Sequence, residues 1–163
     1  EIRLSLVGSE MCIRDRNEVM ETKNANGGAG FTEYNDGTIQ FETTQWSQGY
    51  YDNGKIWQTF TLPEGKYEMR IEVKNAANIG SGSTNIHFAV AQGESLPDNE
   101  ELEKSDIILS YLKFESEHTN KTSALPIFEL TEEKTITVGW VVSFSDICRN
   151  IEFKSVRLWS VAE

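Results

Sequence analysis

Soft metal ligands are scarce: the chain has two cysteines and two histidines in 163 residues. Cys12 lies in a stretch set aside below, which leaves Cys148 alone in SDICRN. One thiol cannot close an internal disulfide, carries no partner signature for thiol catalysis, and leaves the redox compartment unread. It reads as a structural or incidental thiol. Zinc is served as poorly, because His87 and His118 are the only imidazoles. No apolar run approaches the length that spans a bilayer, so no membrane insertion of this domain is expected. There is no G-x-S-x-G, no P-loop and no dinucleotide fingerprint. Glycoside hydrolysis needs two carboxylates fixed across a cleft, and the 26 acidic residues single out no pair. The expectation is that the protein is not an enzyme. Basic residues are few as well: 15 Lys and Arg against 26 Asp and Glu leave a net charge of −11. Phosphate binding depends on Lys and Arg, so that balance argues against nucleic acid and anionic membrane as partners. Otherwise it reads as a solubility feature.

The start of the chain is unlike the rest. SLVGSEMCIRDR, residues 5–16, has its apolar residues broken up by Ser, Gly, Glu and Cys. It therefore lacks the continuous apolar core and the small-residue cleavage site of a secretory signal. Neither period 2 nor period 3.6 runs through it for long. LVGSEMCIRD can be encoded by CTC GTG GGC TCG GAG ATG TGT ATA AGA GAC, a string that resembles a sequencing-library transposase adapter read through in one frame. Residues 1–16 are accordingly expected to be non-native and are excluded from the fold. On that expectation the natural N terminus lies outside this sequence. The segment holds three acids and three bases, so the net charge is unchanged without it.

What remains suffices for one domain with a real core and is too short for two comfortable ones. Residues 17–29 read as a lead-in and 30–163 as a single domain. Almost every segment in it reads as strand. IWQTFTL (56–62) alternates, with Ile56, Phe60 and Leu62 on one face and Trp57, Thr59 and Thr61 on the other. Gln58 falls on the apolar face, where it needs hydrogen-bond partners. YEMRIEV (67–73) alternates without fault, and LPEG (62–65) supplies turn residues, so 56–73 is expected to form a hairpin. Further strands are read at 85–91, 106–115, 125–130, 135–144 and 150–160. Two weaker ones flank Asn35-Asp36-Gly37, a hairpin-type turn. In NIEFKSVRLWS the parity of Ile151 and Phe153 differs from that of Val156 and Leu158. A β-bulge near Lys154-Ser155 would bring all four to the core. Helix is confined to a turn at most in 98–106. Strands at short spacing with no helical layer predict an all-β, two-sheet antiparallel sandwich.

The run KIWQTFTLPEGKYEMRIEV resembles the xQTxTLPxGxY pattern of galactose-binding-like jelly-roll domains. VAQGESLPD (90–98), TITVGWVVSF (135–144) and IEFKSVRLWS (151–160) follow in the order seen in a family of uncharacterised domains of bacterial surface lipoproteins and glycan-utilisation proteins. The resemblance covers residues 30–161 or so. It implies a jelly roll displayed outside the cell, at the cell surface or secreted, in an outer-membrane lipoprotein context beside neighbouring domains of a longer chain. It also implies glycan binding as the role, and it brings no catalytic or ligand residues with it.

The constellation that fits such a role is TTQWSQGYYDNGKIW, residues 43–57. Sugar rings present apolar C–H faces and polar edges, so a site wants aromatic planes beside amide or carboxylate hydrogen-bonders. Trp46, Tyr50 and Tyr51 with Gln48, Asp52 and Asn53 supply both, and Trp57 stands opposite the apolar face of its strand. Packing beneath the loop is the competing role for the same aromatics. Tyr50 and Tyr51 are adjacent and point to opposite faces in extended chain, so one at most meets a ligand there. Trp140 shares parity with Ile136, Val138 and Val142 and belongs to the core, whereas Trp159 should face outward. His87 is expected to face outward as an ordinary sheet residue. A structural calcium is the one cofactor considered, since Asp36, Glu42, Asp52, Asp98, Glu100 and Glu101 are hard oxygen donors. No fixed ligand spacing supports it. The reading is a non-catalytic carbohydrate-binding module, with a protein-interaction or spacer domain of a surface lipoprotein as its rival.

Overall fold

The structure, a computed structural model, describes residues 10–12, 21–23, 30–33, 38–43, 51–76, 84–146 and 149–161, with side chains from residue 38 onward. Its strands are β1 (Glu10–Cys12), β2 (Glu21–Lys23), β3 (Gly30–Glu33), β4 (Ile39–Thr43), β5 (Tyr51–Leu62), β6 (Gly65–Asn75), β7 (Thr84–Gln92), β8 (Ile108–Lys113), β9 (Lys121–Ala124), β10 (Phe128–Leu130), β11 (Lys134–Phe144) and β12 (Arg149–Ser160), with one short helix, α1 (Asn99–Leu102). They form two antiparallel sheets. The seven-stranded sheet runs β10-β6-β12-β4-β3, with β9 also on β6 and β1 on β12. The five-stranded sheet runs β2-β5-β11-β7-β8. This is the all-β, two-sheet antiparallel sandwich that the strand spacing predicts. Among the described residues no helix is long and apolar enough to cross a membrane.

Alternation builds each layer. In β6, Tyr67, Met69, Ile71 and Val73 are buried while Glu68, Arg70, Glu72 and Lys74 turn away. In β5, Ile56, Gln58 and Leu62 face inward. The two strands are nevertheless not a hairpin: β5 lies in the five-stranded sheet and β6 in the other. Pro63 and Glu64 carry the chain across the sandwich instead. A hairpin and a crossover leave the same period-2 pattern, because in both cases one face of each strand meets the core. Periodicity alone cannot separate them.

The bulge in β12 is where parity requires it. Register shifts fall between Glu152 and Phe153 and between Phe153 and Ser155. As a result Ile151, Phe153, Val156 and Leu158 are all buried. The weaker pair around residues 35–37 is the paired β3 and β4, with the turn itself outside the described residues. Strand β9 carries no apolar alternation and escaped the pattern. It shares one edge of β6 with β10, pairing Arg70–Val73 while β10 pairs Gly65–Tyr67. Strand β1 falls in the segment set aside above, and it pairs Glu10–Cys12 with Trp159–Arg157.

Trp140 stands at the centre of the core, 1 % exposed. Phe153 stacks on it at 4.6 Å, and Phe114 and Phe88 meet it at 4.8 and 5.3 Å. Offset and edge contacts of this kind add to the burial of the rings themselves. Gln58 Oε1 and Trp140 Nε1 have no hydrogen-bond partner among the described residues. Both side chains line a cavity of about 40 Å³ between the sheets. That volume is large enough for a water.

Candidate functional site

The stretch 43–57 divides when it is placed on the fold. Trp46, Gln48 and Tyr50 lie outside the described residues. Tyr51 presents no ring face to a ligand: it is 2 % exposed and sits edge-on to Phe41 and Phe144 at 5.8 and 5.5 Å, inside the core. Asn53 is also buried, at a left-handed backbone position (φ 55°) that Asn adopts more readily than most residues. Its Oδ1 accepts from the Asn99 N–H at 2.8 Å, and its Nδ2 donates to Asp52 Oδ1 and Glu100 Oε2 at 3.1 and 3.3 Å. Asn53 is therefore a fastener, and Asp52, half-buried, is one of the groups it holds. Of the four described candidates, Trp57 alone is a half-buried aromatic on an outer sheet face.

Strand register sets what surrounds it. Trp57 pairs with Gly139, Gly139 with Ala89, and Ala89 with Tyr111, so one row crosses four strands with aromatics at both ends and a small-residue floor between. Gly139 has to be glycine: a Cβ there would lie 2.2 Å from Ile56 O and 2.8 Å from the Trp57 Cβ.

Much of that floor is covered by the chain itself. At Gly93 (φ 94°, a value that suits glycine) the chain leaves β7 and folds back over the sheet as a cap, residues 93–107, which includes α1. Leu96 and Leu102 pack on Ala89, Ala91 and Val141, with Trp57 and Tyr111 against the same cluster. The cap is tied at both ends, by Gln92 N–H to Ile107 O at 2.8 Å and Gly93 N–H to Thr135 O at 2.9 Å. In its middle, Lys55 Nζ donates to Leu96 O at 2.8 Å and to Asp98 Oδ1 at 2.6 Å.

Asn99 makes the remaining ties. Its amide donates to Ser143 Oγ at 2.8 Å and Asn85 O at 3.1 Å. Its Oδ1 must then accept, so His87 Nδ1, 2.8 Å away, carries the imidazole proton. His87 does face outward, as its parity predicts, but the cap leaves it 2 % exposed. Burial lowers its pKa from 6.5, aided by the nearby Lys113 charge and opposed by the Asn99 bond and Glu103. It is neutral at pH 7.

Beyond the cap, part of the outer face stays open. Thr61 and Thr135 are exposed cross-strand neighbours, and the next row pairs Thr59 with Thr137, their hydroxyls 2.9 Å apart. Thr137 Oγ1 in turn donates to Gly93 O at 2.7 Å. Trp57 thus borders a strip of hydroxyls on a rigid sheet. The alternation of TITVG and of WQTFT already put these threonines outward; what it could not show is that the two strands are neighbours. Trp159 faces outward on the other sheet, half-buried, with the Arg70 guanidinium 5.3 Å from its ring centre.

Of the oxygen donors considered for calcium, Asp52 and Glu100 meet at one donor, Asn53 Nδ2. Asp98 holds Lys55 and Glu100 accepts from Asn53. No three His, Cys, Asp or Glu side chains converge among the described residues. Asp36 and Cys148 lie outside them.

The family described as a domain of unknown function, DUF5013, matches residues 13–139. The chain belongs to the DUF5013 family. No curated protein matches it in sequence. Among solved structures, the DUF5013 chain is similar to a protein described as the xylan-binding module CBM15, with TM-score 0.55 and 12 % identity over 96 % of this chain and 99 % of that one. It is also similar to Xylanase10C from Cellvibrio japonicus in complex with xylopentaose, with TM-score 0.50 and 12 % identity over 96 % of this chain and 28 % of that one. A third is TmCBM61 in complex with β-1,4-galactotriose, with TM-score 0.48 and 11 % identity over 88 % and 86 % of the two chains. At such identities the first two likenesses bear on the fold alone: this DUF5013 chain shares a β-sandwich with the xylan-binding module.

Proposed function

We propose that this DUF5013 domain is a non-catalytic carbohydrate-binding module of a bacterial cell-surface or secreted protein. The observation that carries the reading is the open strip on the five-stranded sheet. There a half-buried Trp57 stands beside Thr59, Thr61 and Thr135, so an aromatic plane and hydroxyl hydrogen-bonders share one rigid surface. The likeness to a xylan-binding module supports it. Trp46 with Gln48 and Tyr50 is the second set of contacts in this reading, on the stretch that leads into β5. Affinity is weak for one module and gains by avidity from neighbouring domains.

A spacer or protein-interaction role is the rival, and one finding favours it: the cap covers the small-residue floor that an extended ligand would otherwise cross. A glycan array probed with the parent chain, Trp57→Ala and Trp46→Ala decides between them. The expected result is binding that falls about tenfold in Trp57→Ala while its thermal melt stays cooperative. Loss confined to Trp46→Ala moves the platform to the preceding stretch. No binding by the parent on a broad array favours the spacer.

A further inference from the structure

The seven-stranded sheet carries a depression of about 310 Å³ that the reading above does not use. That is the low end of small-ligand sites, roughly 300–1,000 Å³. It forms where the β12 bulge interrupts the sheet. Register aligns Thr122, Glu72 and Ser155 in one row across β9, β6 and β12. The bulge turns Lys154 and Ser155 outward together. Lys74 and Lys121 complete the lining, so three lysines and one carboxylate residue line the depression.

The carboxylate is already occupied. Glu72 Oε1 accepts from Lys154 Nζ at 3.2 Å and Oε2 from Ser155 Oγ at 3.1 Å. Lys74 Nζ reaches Glu152 Oε2, just outside the depression, at 3.3 Å. Lys121 is exposed and makes no ion pair among the described residues. Lys74 and Lys154 are half exposed, at 51 % and 57 %, so their ion pairs are weak and can be shared with a ligand. In a chain of net charge −11 a convergence of three lysines runs against the overall field. The overall field therefore disfavours non-specific attraction of polyanions.

We propose that this depression binds the anionic substituent of an acidic polysaccharide, a carboxylate or a sulfate ester on a sugar ring. Lys121 and Lys154 supply the charge, and Thr122 with Asn120 supplies neutral hydrogen bonds. Lysine is a point charge on a flexible stem and does not impose the planar bidentate geometry of arginine, so either anion can be held. The proposal rests on the glycan-binding reading and narrows it to acidic glycans.

The test is calorimetric titration of the full chain with polygalacturonate, with a sulfated galactan, and with carboxyl-reduced polygalacturonate as the neutral counterpart. Each is repeated with a Lys121→Glu/Lys154→Glu variant whose melting temperature is checked against the parent. The expected result is binding of at least one acidic polymer about tenfold tighter than the neutral one, lost in the variant and weakened by salt. Which polymer binds assigns the carboxylate or the sulfate. Equal binding of acidic and neutral polymers, or a variant that binds as the parent does, overturns the proposal. If neutral polymers bind in a Trp57-dependent way and acidic ones no better, only this proposal falls. If none of the three polymers binds, this proposal falls, and the glycan reading falls with it only when the broad array is blank as well.

Discussion

The two outer faces of the sandwich have been finished in opposite ways. On the five-stranded sheet the chain folds back on itself: the cap buries two leucines on a Gly/Ala floor and is fastened by Lys55, Asn53, Asn99 and His87. On the seven-stranded sheet the described β6 and β12 side chains are charged and open, and their ion pairs are surface pairs. The difference teaches where each kind of residue matters. Polar groups on the first face are buried and hold shape, so removing one leaves its partners unsatisfied. Polar groups on the second pair with one another at the surface, where solvent keeps their ion pairs weak.

Substitutions on the two faces should separate accordingly. The largest effect belongs to Gly139→Val. Its Cβ would meet a backbone carbonyl at 2.2 Å, which cannot give way as a side-chain tip does. We expect a loss of about 3 kcal/mol or more, or failure to fold, read by urea unfolding. Next comes Lys55→Met, which removes the Nζ donor from Asp98 and the Leu96 carbonyl. A loss of roughly 2 kcal/mol is expected, less than for a fully buried pair because Asp98 keeps 29 % exposure. Hydrogen exchange should rise first in residues 93–107, and uniform loosening of both sheets would show that the cap is not a separate unit.

A third test uses pH. Burial lowers the His87 pKa from 6.5, so between that lowered value and 6.5 the unfolded chain binds more protons than the folded one. Stability therefore falls as pH drops through this window and stops falling on this account below the folded value. Thermal melts between about pH 7.5 and pH 5 should show a shallower slope in His87→Gln than in the parent. Equal slopes would mean that the imidazole is not protected. Smallest of all is the effect of the Lys121→Glu/Lys154→Glu exchange on stability, expected within about 0.5 kcal/mol per site despite its effect on binding. A large destabilisation there would erase the contrast between the faces.

Reading the chain alone goes some distance toward this picture. Inward and outward positions in β5, β6 and β11 follow from alternation, and the broken parity of residues 151–158 locates the bulge. The turn of helix in 98–106 is α1. Sheet membership does not follow, because the apolar faces of β5 and β6 look the same whether the strands pair or oppose each other. Strand β9 was missed because a polar edge strand such as KTSA needs no apolar face. At the site, parity exposed Trp57 correctly. It gave no warning about Tyr51, since a local irregularity opposite Val142–Phe144 turns that residue to the other face at the start of β5. The partner of Asn53 lies in the cap, far along the chain, and no local pattern announces such a bond.

The crossover at Pro63-Glu64 also reaches into time. Because β5 does not pair with β6, the longest ladder of each comes late: β5 waits for β11, and β6 for β12. Each long ladder joins segments separated by roughly half the chain. Loop-closure entropy must be overcome before either ladder gains anything, which places such topologies among slow folders, in the range of about milliseconds to seconds. Until β11 and β12 have been synthesised, the alternating faces of β5 and β6 are exposed apolar edges, and this is when the chain is most open to aggregation.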